Sequence, residues 1–274
     1  MELNKIYCWD CVEVMKDIED WTIDMTITSP PYDNLRSYEW YSFDFEWTAK
    51  ELYRITKEWW VVVWIVNDAT VNWSETWTSF RQALYFKEIW FNLHDTMIWQ
   101  KNNFSNPAST RYHQIFEYMF ILSKWKPVFN PIMDRKNIRV WWWALWEQTS
   151  RQKNWELRVR NKKAAIKEYW MRYNIWKWNT SWQENMCKHI EHPATFPLWL
   201  VKDHIRSWSN EWDTVLDPFI WSWTTALACK ELNRNYIGIE ISPKYCEIAK
   251  ARIEYVINAV EEKQEQKQQT LFNV

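Results

Sequence analysis

Glycine is nearly absent. The chain has 274 residues and a single glycine, Gly238, where ordinary usage gives a chain of this length roughly 19. Turns that need a left-handed backbone, and loops that press a ligand against bare main chain, rely on glycine. Read literally, a domain of this size has lost most of its turn chemistry. Cysteine is sparse too: the five, Cys8, Cys11, Cys187, Cys229 and Cys246, are odd in number and scattered. That excludes a secreted disulfide framework, and reduced, buried thiols are expected. Cys8 and Cys11 make one C-x-x-C with no second pair and no histidine pair, so no metal is expected. No run approaches the ~20 apolar residues of a membrane helix, and the start of the chain lacks the basic and apolar regions of a signal peptide. A cytoplasmic protein with no membrane partner is expected. The net charge of −1 excludes a globally basic nucleic-acid binder, so any such surface is local.

What the chain has instead is tryptophan, 26 of them. "KEWWVVV" at 57–63 puts indoles in a turn before a strand, "SKWKP" at 123–127 puts one after a strand, and Trp141-Trp142-Trp143 makes a run that no soluble loop favours. Glycine at those positions would give ordinary turn and loop chemistry. The expectation is that most of these tryptophans are glycine in the working protein, a UGA codon being decoded as glycine. Trp64, Trp99, Trp176 and Trp208 lie in apolar or aromatic stretches and read as genuine.

The length suits one large α/β domain with an insertion. Thr22–Thr28 alternates and is β-branched, a strand stopped by "SPPYD". Helical spacing follows at Thr48–Thr56, a turn at Trp59-Trp60, then "VVVWIV", the continuous apolar run of a strand buried on both faces. Helix at Ser79–Ile89 and strands at Leu93–Trp99 and Ile115–Leu122 continue the βαβ alternation. Between about 102 and 187 the pattern degrades into a basic stretch studded with aromatics (Arg135, Lys136, Arg172, Tyr169, Tyr173), suited to holding phosphates and stacking bases. Helix Pro197–Ser207, strand Thr214–Leu216, helix Thr224–Leu232, strand Tyr236–Ile241 and a long helix Pro243–Val260 follow, with a polar tail at 261–274. Residues 1–260 are thus expected to form one domain with an insertion at about 102–187.

Two stretches carry chemistry. In "TSPPYD" the prolines deny the main chain a neighbouring strand, so the carbonyls of Ser29 and Pro30 face the crevice at the strand ends, followed by Pro31 and by Tyr32, a flat stacking surface. Two carbonyls can take both N–H donors of an exocyclic amine and aim its nitrogen lone pair at an electrophile. In "TVLDPFIWSWTTALA" a strand turns into a helix; with glycine at 221 and 223 the loop lets a ligand approach its backbone, and the helix start offers N–H groups to a carboxylate. Glu240 ends the next strand where an acid binds ribose hydroxyls.

These residues resemble the amino-group DNA methyltransferases that use S-adenosyl-L-methionine to make N4-methylcytosine or N6-methyladenine. Thr28-Ser29-Pro30-Pro31-Tyr32 matches the catalytic motif, and Asp217-Pro218-Phe219 with the Trp221/Trp223 turn and Thr224 matches the cofactor motif. "HPATFP" at 192–197 resembles the segment flanking the methionine part of the cofactor, and Asp10 in "YCWDC" resembles the contact near the adenine. The order, catalytic motif first, resembles the permuted beta-type arrangement, over roughly 5–258. The resemblance implies a Rossmann-like methyltransferase fold: a mostly parallel twisted sheet, helices on both faces and an inserted target-recognition region. It implies Ser29, Pro30, Pro31 and Tyr32 as catalytic residues, and Asp10, Asp217, Phe219, Trp221, Trp223, Thr224 and Glu240 around S-adenosylmethionine. Double-stranded DNA is the expected substrate, with the base flipped out and stacked on Tyr32. A cognate restriction endonuclease is a partner the resemblance allows, and the oligomeric state stays open. Ser before Pro-Pro-Tyr leans to cytosine N4, with adenine N6 the alternative. Two rival readings are a DNA-binding protein inactive with tryptophan at 221 and 223, and a methyltransferase acting on RNA or glutamine.

Overall fold

The computed structural model describes residues 1–31, 43–104, 109–137, 149–151, 154–159, 167–178, 197–221 and 223–251. The chain divides into two compact units, Met1–Asn130 with Asn174–Val274, and Pro131–Tyr173.

In the larger unit, β1 (Lys5–Tyr7) and α1 (Cys11–Lys16) lead to β2 (Ile23–Thr28), α2 (Phe45–Ile55) and β3 (Thr56–Val66). A small hairpin, β4 (Thr70–Val71) with β5 (Ser74–Glu75), precedes α3 (Thr78–Glu88), β6 (Asn92–Lys101) and β7 (Phe116–Ser123). In the smaller unit, β8 (Arg135–Lys136), β9 (Thr149–Arg151), β10 (Leu157–Val159) and β11 (Tyr169–Trp170) form two antiparallel ribbons, β8 with β11 and β9 with β10. The chain then returns through β12 (Ile175–Trp178), α4 (Leu198–Trp208), β13 (Thr214–Asp217), α5 (Thr224–Glu231) and β14 (Asn235–Ile239). Helix resumes at 243–251.

One eight-stranded sheet, ordered β1-β14-β13-β2-β3-β7-β6-β12, organises the larger unit. Its pairs are parallel from β1 to β3 and between β6 and β12, and antiparallel only where β7 meets β3 and β6. Because β3 is apolar throughout 61–66, it buries both faces. Val62, Trp64 and Val66 join the core of α1, α2 and α3, with Met15, Leu52 and Phe86; Val61, Val63 and Ile65 are equally buried, and α4 packs on β2, β3 and α5. This is the expected Rossmann-like fold, mostly parallel with helices on both faces.

Three local expectations need correction. Trp59 and Trp60 lie inside β3 rather than in a turn: the β2 to β3 register jumps from Ile23↔Thr56 to Met25↔Val61, so the extra residues bulge without breaking the strand. β12, in a stretch with no legible pattern, extends the sheet beside β6. Not all the cysteines are reduced thiols, since Cys8 and Cys246 form a disulfide across 238 residues. Cys11 and Cys229 are buried thiols, and Cys187 lies outside the described residues.

Candidate active site

The site follows from the strand order. β2 continues through α2 to β3 on one side, while β13 continues through α5 to β14 on the other. The carboxyl ends of the adjacent strands β2 and β13 therefore flank a topological switch point, the place where open α/β sheets bind ligands. Thr28 and Ser29 stand at one lip of that crevice and Asp217 at the other.

Asp217 ties the lips together. Its carboxylate is buried and accepts from Thr28 Oγ1 at 2.8 Å, the Phe219 N–H at 3.2 Å and Thr225 Oγ1 at 2.6 Å. Burial pushes its pKa up to about 6, opposed by the bonds from Thr225, Thr28 and Phe219. One carboxylate thus joins the end of the catalytic-motif strand, the turn of the cofactor motif and the first turn of α5. Thr28 and Thr225 are the participants that the site assignment from sequence missed. The available signal was a threonine beside each motif's turn, Thr28 directly before Ser29-Pro30-Pro31 and Thr225 just inside the helix that follows the 218–223 turn.

Glu240 ends the strand beyond. Its N–H donates to the Tyr7 carbonyl at 3.0 Å, and its Oε1 accepts from the Ser242 N–H at 2.8 Å. Burial pushes its pKa up to about 7; main-chain N–H bonds oppose this, and the charge on Asp217 adds to it. The folded chain therefore holds a proton here, between pH about 4.5 and 7, that the unfolded chain has released. Stability should fall as pH rises through that window, by up to about 3 kcal/mol from this group. Urea midpoints across that range should show the slope, and Glu240→Gln should flatten it; an unchanged slope in the variant would place the titration elsewhere.

The other candidates separate. Asp10 caps α1, its Oδ1 accepting from the Val12 N–H at 2.8 Å, next to Cys8 on the loop after β1. Phe219 is buried against Phe43, ring centroids 5.2 Å apart. Thr224 opens α5. A Cβ at Gly238 would lie 2.5 Å from Ile220 Cδ1, so the tip of the Ile220 side chain in the cofactor loop would have to shift. Tyr32 and the 192–196 part of "HPATFP" lie outside the described residues. Cys229 lies on the buried face of α5, and burial raises its pKa, which leaves it a structural thiol rather than a nucleophile.

An N6/N4 methyltransferase family model, described as DNA methylase, matches residues 23–251. The orphan methyltransferase M.BamHII of Bacillus amyloliquefaciens is 52% identical over 249 residues, covering 88% of this chain and 93% of its own length. The type II methyltransferase M.HpaI of Haemophilus parainfluenzae is 28% identical, covering 93% and 76%. The chain belongs to the N6/N4 DNA methylase family.

Solved structures agree on the architecture. The M1.HpyAVI–SAM complex matches with a TM-score of 0.57 at 26% identity, over 90% of this chain and 98% of that one. The cytosine-N4-specific PvuII DNA methyltransferase shares the fold, with a TM-score of 0.66 at 19% identity over 89% and 84%. This methyltransferase uses S-adenosylmethionine, and among the described residues no helix is long and apolar enough to cross a membrane. The framing residues fit that cofactor: Asp217, Glu240 and the backbone turn into α5 surround the switch-point crevice. The indoles do not fit. Trp223 is buried at the N-cap of α5 with φ 62°. Trp221, with φ 27°, donates from Nε1 to the Ser29 carbonyl at 3.3 Å, so its ring bridges the crevice between the two motifs.

Proposed function

We propose that this methyltransferase modifies the N4 amino group of a cytosine flipped out of duplex DNA. The observation that carries the reading is the placement of Ser29, just past the end of β2 and tied through Thr28 and Asp217 to the cofactor motif. The main-chain carbonyls of Ser29 and Pro30 accept the two amino N–H bonds of the base, which turns the nitrogen lone pair toward the crevice. Pro31 stiffens this segment, and Tyr32 stacks on the base. When bound, the sulfonium cofactor supplies an electrophilic methyl group. Glu240 accepts from its ribose hydroxyls, Asp10 and Phe219 lie toward its adenine, and the 221–224 turn takes its methionine end. Asp217 acts through its neighbours: bonded to Thr28 and Thr225, it holds the amine acceptors at a fixed distance from the cofactor turn.

Ser at position 29 favours cytosine, and adenine N6 is the second reading because the same carbonyl geometry serves either amine. Nucleoside analysis of methylated duplex DNA tests this. N4-methyldeoxycytidine is the expected product, and N6-methyldeoxyadenosine would replace the first reading by the second. We assign target recognition to the basic stretch within 102–187. In its described part, Arg135 stacks on Tyr173 at 4.1 Å and donates to its hydroxyl at 2.7 Å, while Arg172 pairs with Asp134. Such pre-set guanidinium groups suit phosphate contacts. A cognate restriction endonuclease is allowed by the family, and the orphan status in the name of M.BamHII counts against one.

A further inference from the structure

Left-handed backbone occurs at only two residue types among the described residues. Positive φ is found at Asn4, Asn72 and Asn233, and at Trp21, Trp73, Trp77, Trp90, Trp155, Trp212, Trp221 and Trp223. Asparagine tolerates this region, whereas a bulky side chain there is an outlier. One tryptophan so placed would be an oddity. Eight, with no other bulky residue joining them, follow the usage of glycine.

The local motifs agree. Val71 pairs with Ser74, so Asn72-Trp73 is a two-residue hairpin loop with φ of 49° and 68°, the type I′ turn for which Asn-Gly is the preferred sequence. After α3, the Phe91 N–H donates to the Phe86 carbonyl at 2.9 Å and the Trp90 N–H to the Lys87 carbonyl at 3.1 Å. That is a Schellman motif with Trp90, φ 81°, at the position glycine usually fills. Trp77 and Trp223 are N-caps without a side-chain capping bond; glycine is accepted at that position, and an indole has no acceptor to offer. Several of these indoles also stand in solvent, Trp73 at 87% and Trp90 at 79% exposure.

A second group sits in the core, with ordinary backbone dihedrals. Trp64 is fully buried and its Nε1 donates to Gln82 Oε1 at 2.9 Å. Trp208 packs between His94 and Phe129, with centroids 5.7 and 4.7 Å away. Trp99 and Trp176 are buried as well, and none of the four has positive φ.

We infer that the working protein carries glycine at positions 21, 73, 77, 90, 155, 212, 221 and 223, and tryptophan at 64, 99, 176 and 208, its gene using UGA at the first set of positions and a different codon at the second. At 221 the change removes the donor now bonded to the Ser29 carbonyl, and at 223 it empties the turn into α5, so the amine acceptor and the cofactor cradle open together. Trp59 and Trp60, in β3 without positive φ, receive no assignment. The inference rests on backbone geometry and not on the methyltransferase reading, so either can fail without the other. Peptide mass spectrometry of the protein purified from its source cells tests it position by position. Glycine at all eight positions with tryptophan at the buried four is expected. Tryptophan at 221 or 223 would overturn it, and so would glycine at Trp64.

Discussion

Protein carrying Trp221→Gly and Trp223→Gly together binds S-adenosylmethionine about 100-fold more tightly than the chain with both indoles. The gain comes from the crevice: the buried Trp223 ring and the Trp221 ring on the Ser29 carbonyl no longer compete with the cofactor, and a factor of 100 corresponds to about 2.7 kcal/mol. Relief of left-handed strain at the two positions, roughly 1–2 kcal/mol per residue, raises stability with or without a ligand and adds nothing to affinity. Calorimetric titration of both proteins measures the ratio; equal affinities would show that the indoles do not obstruct the site.

The second large effect separates stability from catalysis. Asp217→Ala removes the acceptor for Thr28, Phe219 and Thr225, a loss of about 3 kcal/mol at roughly 1 kcal/mol per bond. Burial of the Asp217 carboxylate, which pushes its pKa up to about 6 with those same bonds already opposing the rise, offsets only part of the loss above pH 7, so the melting temperature should fall by less than three lost bonds alone would imply. Methylation should nevertheless fall about 100-fold, because the carbonyls of Ser29 and Pro30 lose their fixed distance from the cofactor turn. Thr28→Val isolates the same link, lowering kcat roughly tenfold or more with cofactor affinity little changed, and Thr28→Ser, which keeps the hydroxyl, should restore it. Parental kcat in Thr28→Val would mean that Asp217 positions nothing across the crevice.

Much of this was legible in the chain. β2, α2, β7 and α5 fall within a few residues of where apolar periodicity puts them, because each buries a continuous face. β1 and β12 were missed because three or four residues are too few to show a period, and their strand conformation comes from the neighbours they pair with. Ser29, Asp217 and Glu240 could be found since each ends a strand whose motif is local. The Thr28 to Asp217 bond spans 189 residues, and the Cys8–Cys246 bridge spans more; only the assembled sheet brings such pairs together. Asp10 also has a local structural task, capping α1, which sequence pattern alone does not separate from a ligand role. The tryptophans were anomalous by composition, but only dihedrals could sort them, since the same residue type appears in a hairpin loop at Trp73 and in the core at Trp64.

The most direct measurement is methyl transfer by protein purified from its source cells, using S-adenosylmethionine labelled in the methyl group and duplex DNA, followed by digestion to nucleosides. Label on an exocyclic amine of a base, with N4-methyldeoxycytidine the expected carrier, is the predicted result. Label on a ring carbon, or none in DNA while the protein binds the cofactor, would contradict an amine held by the carbonyls of Ser29 and Pro30.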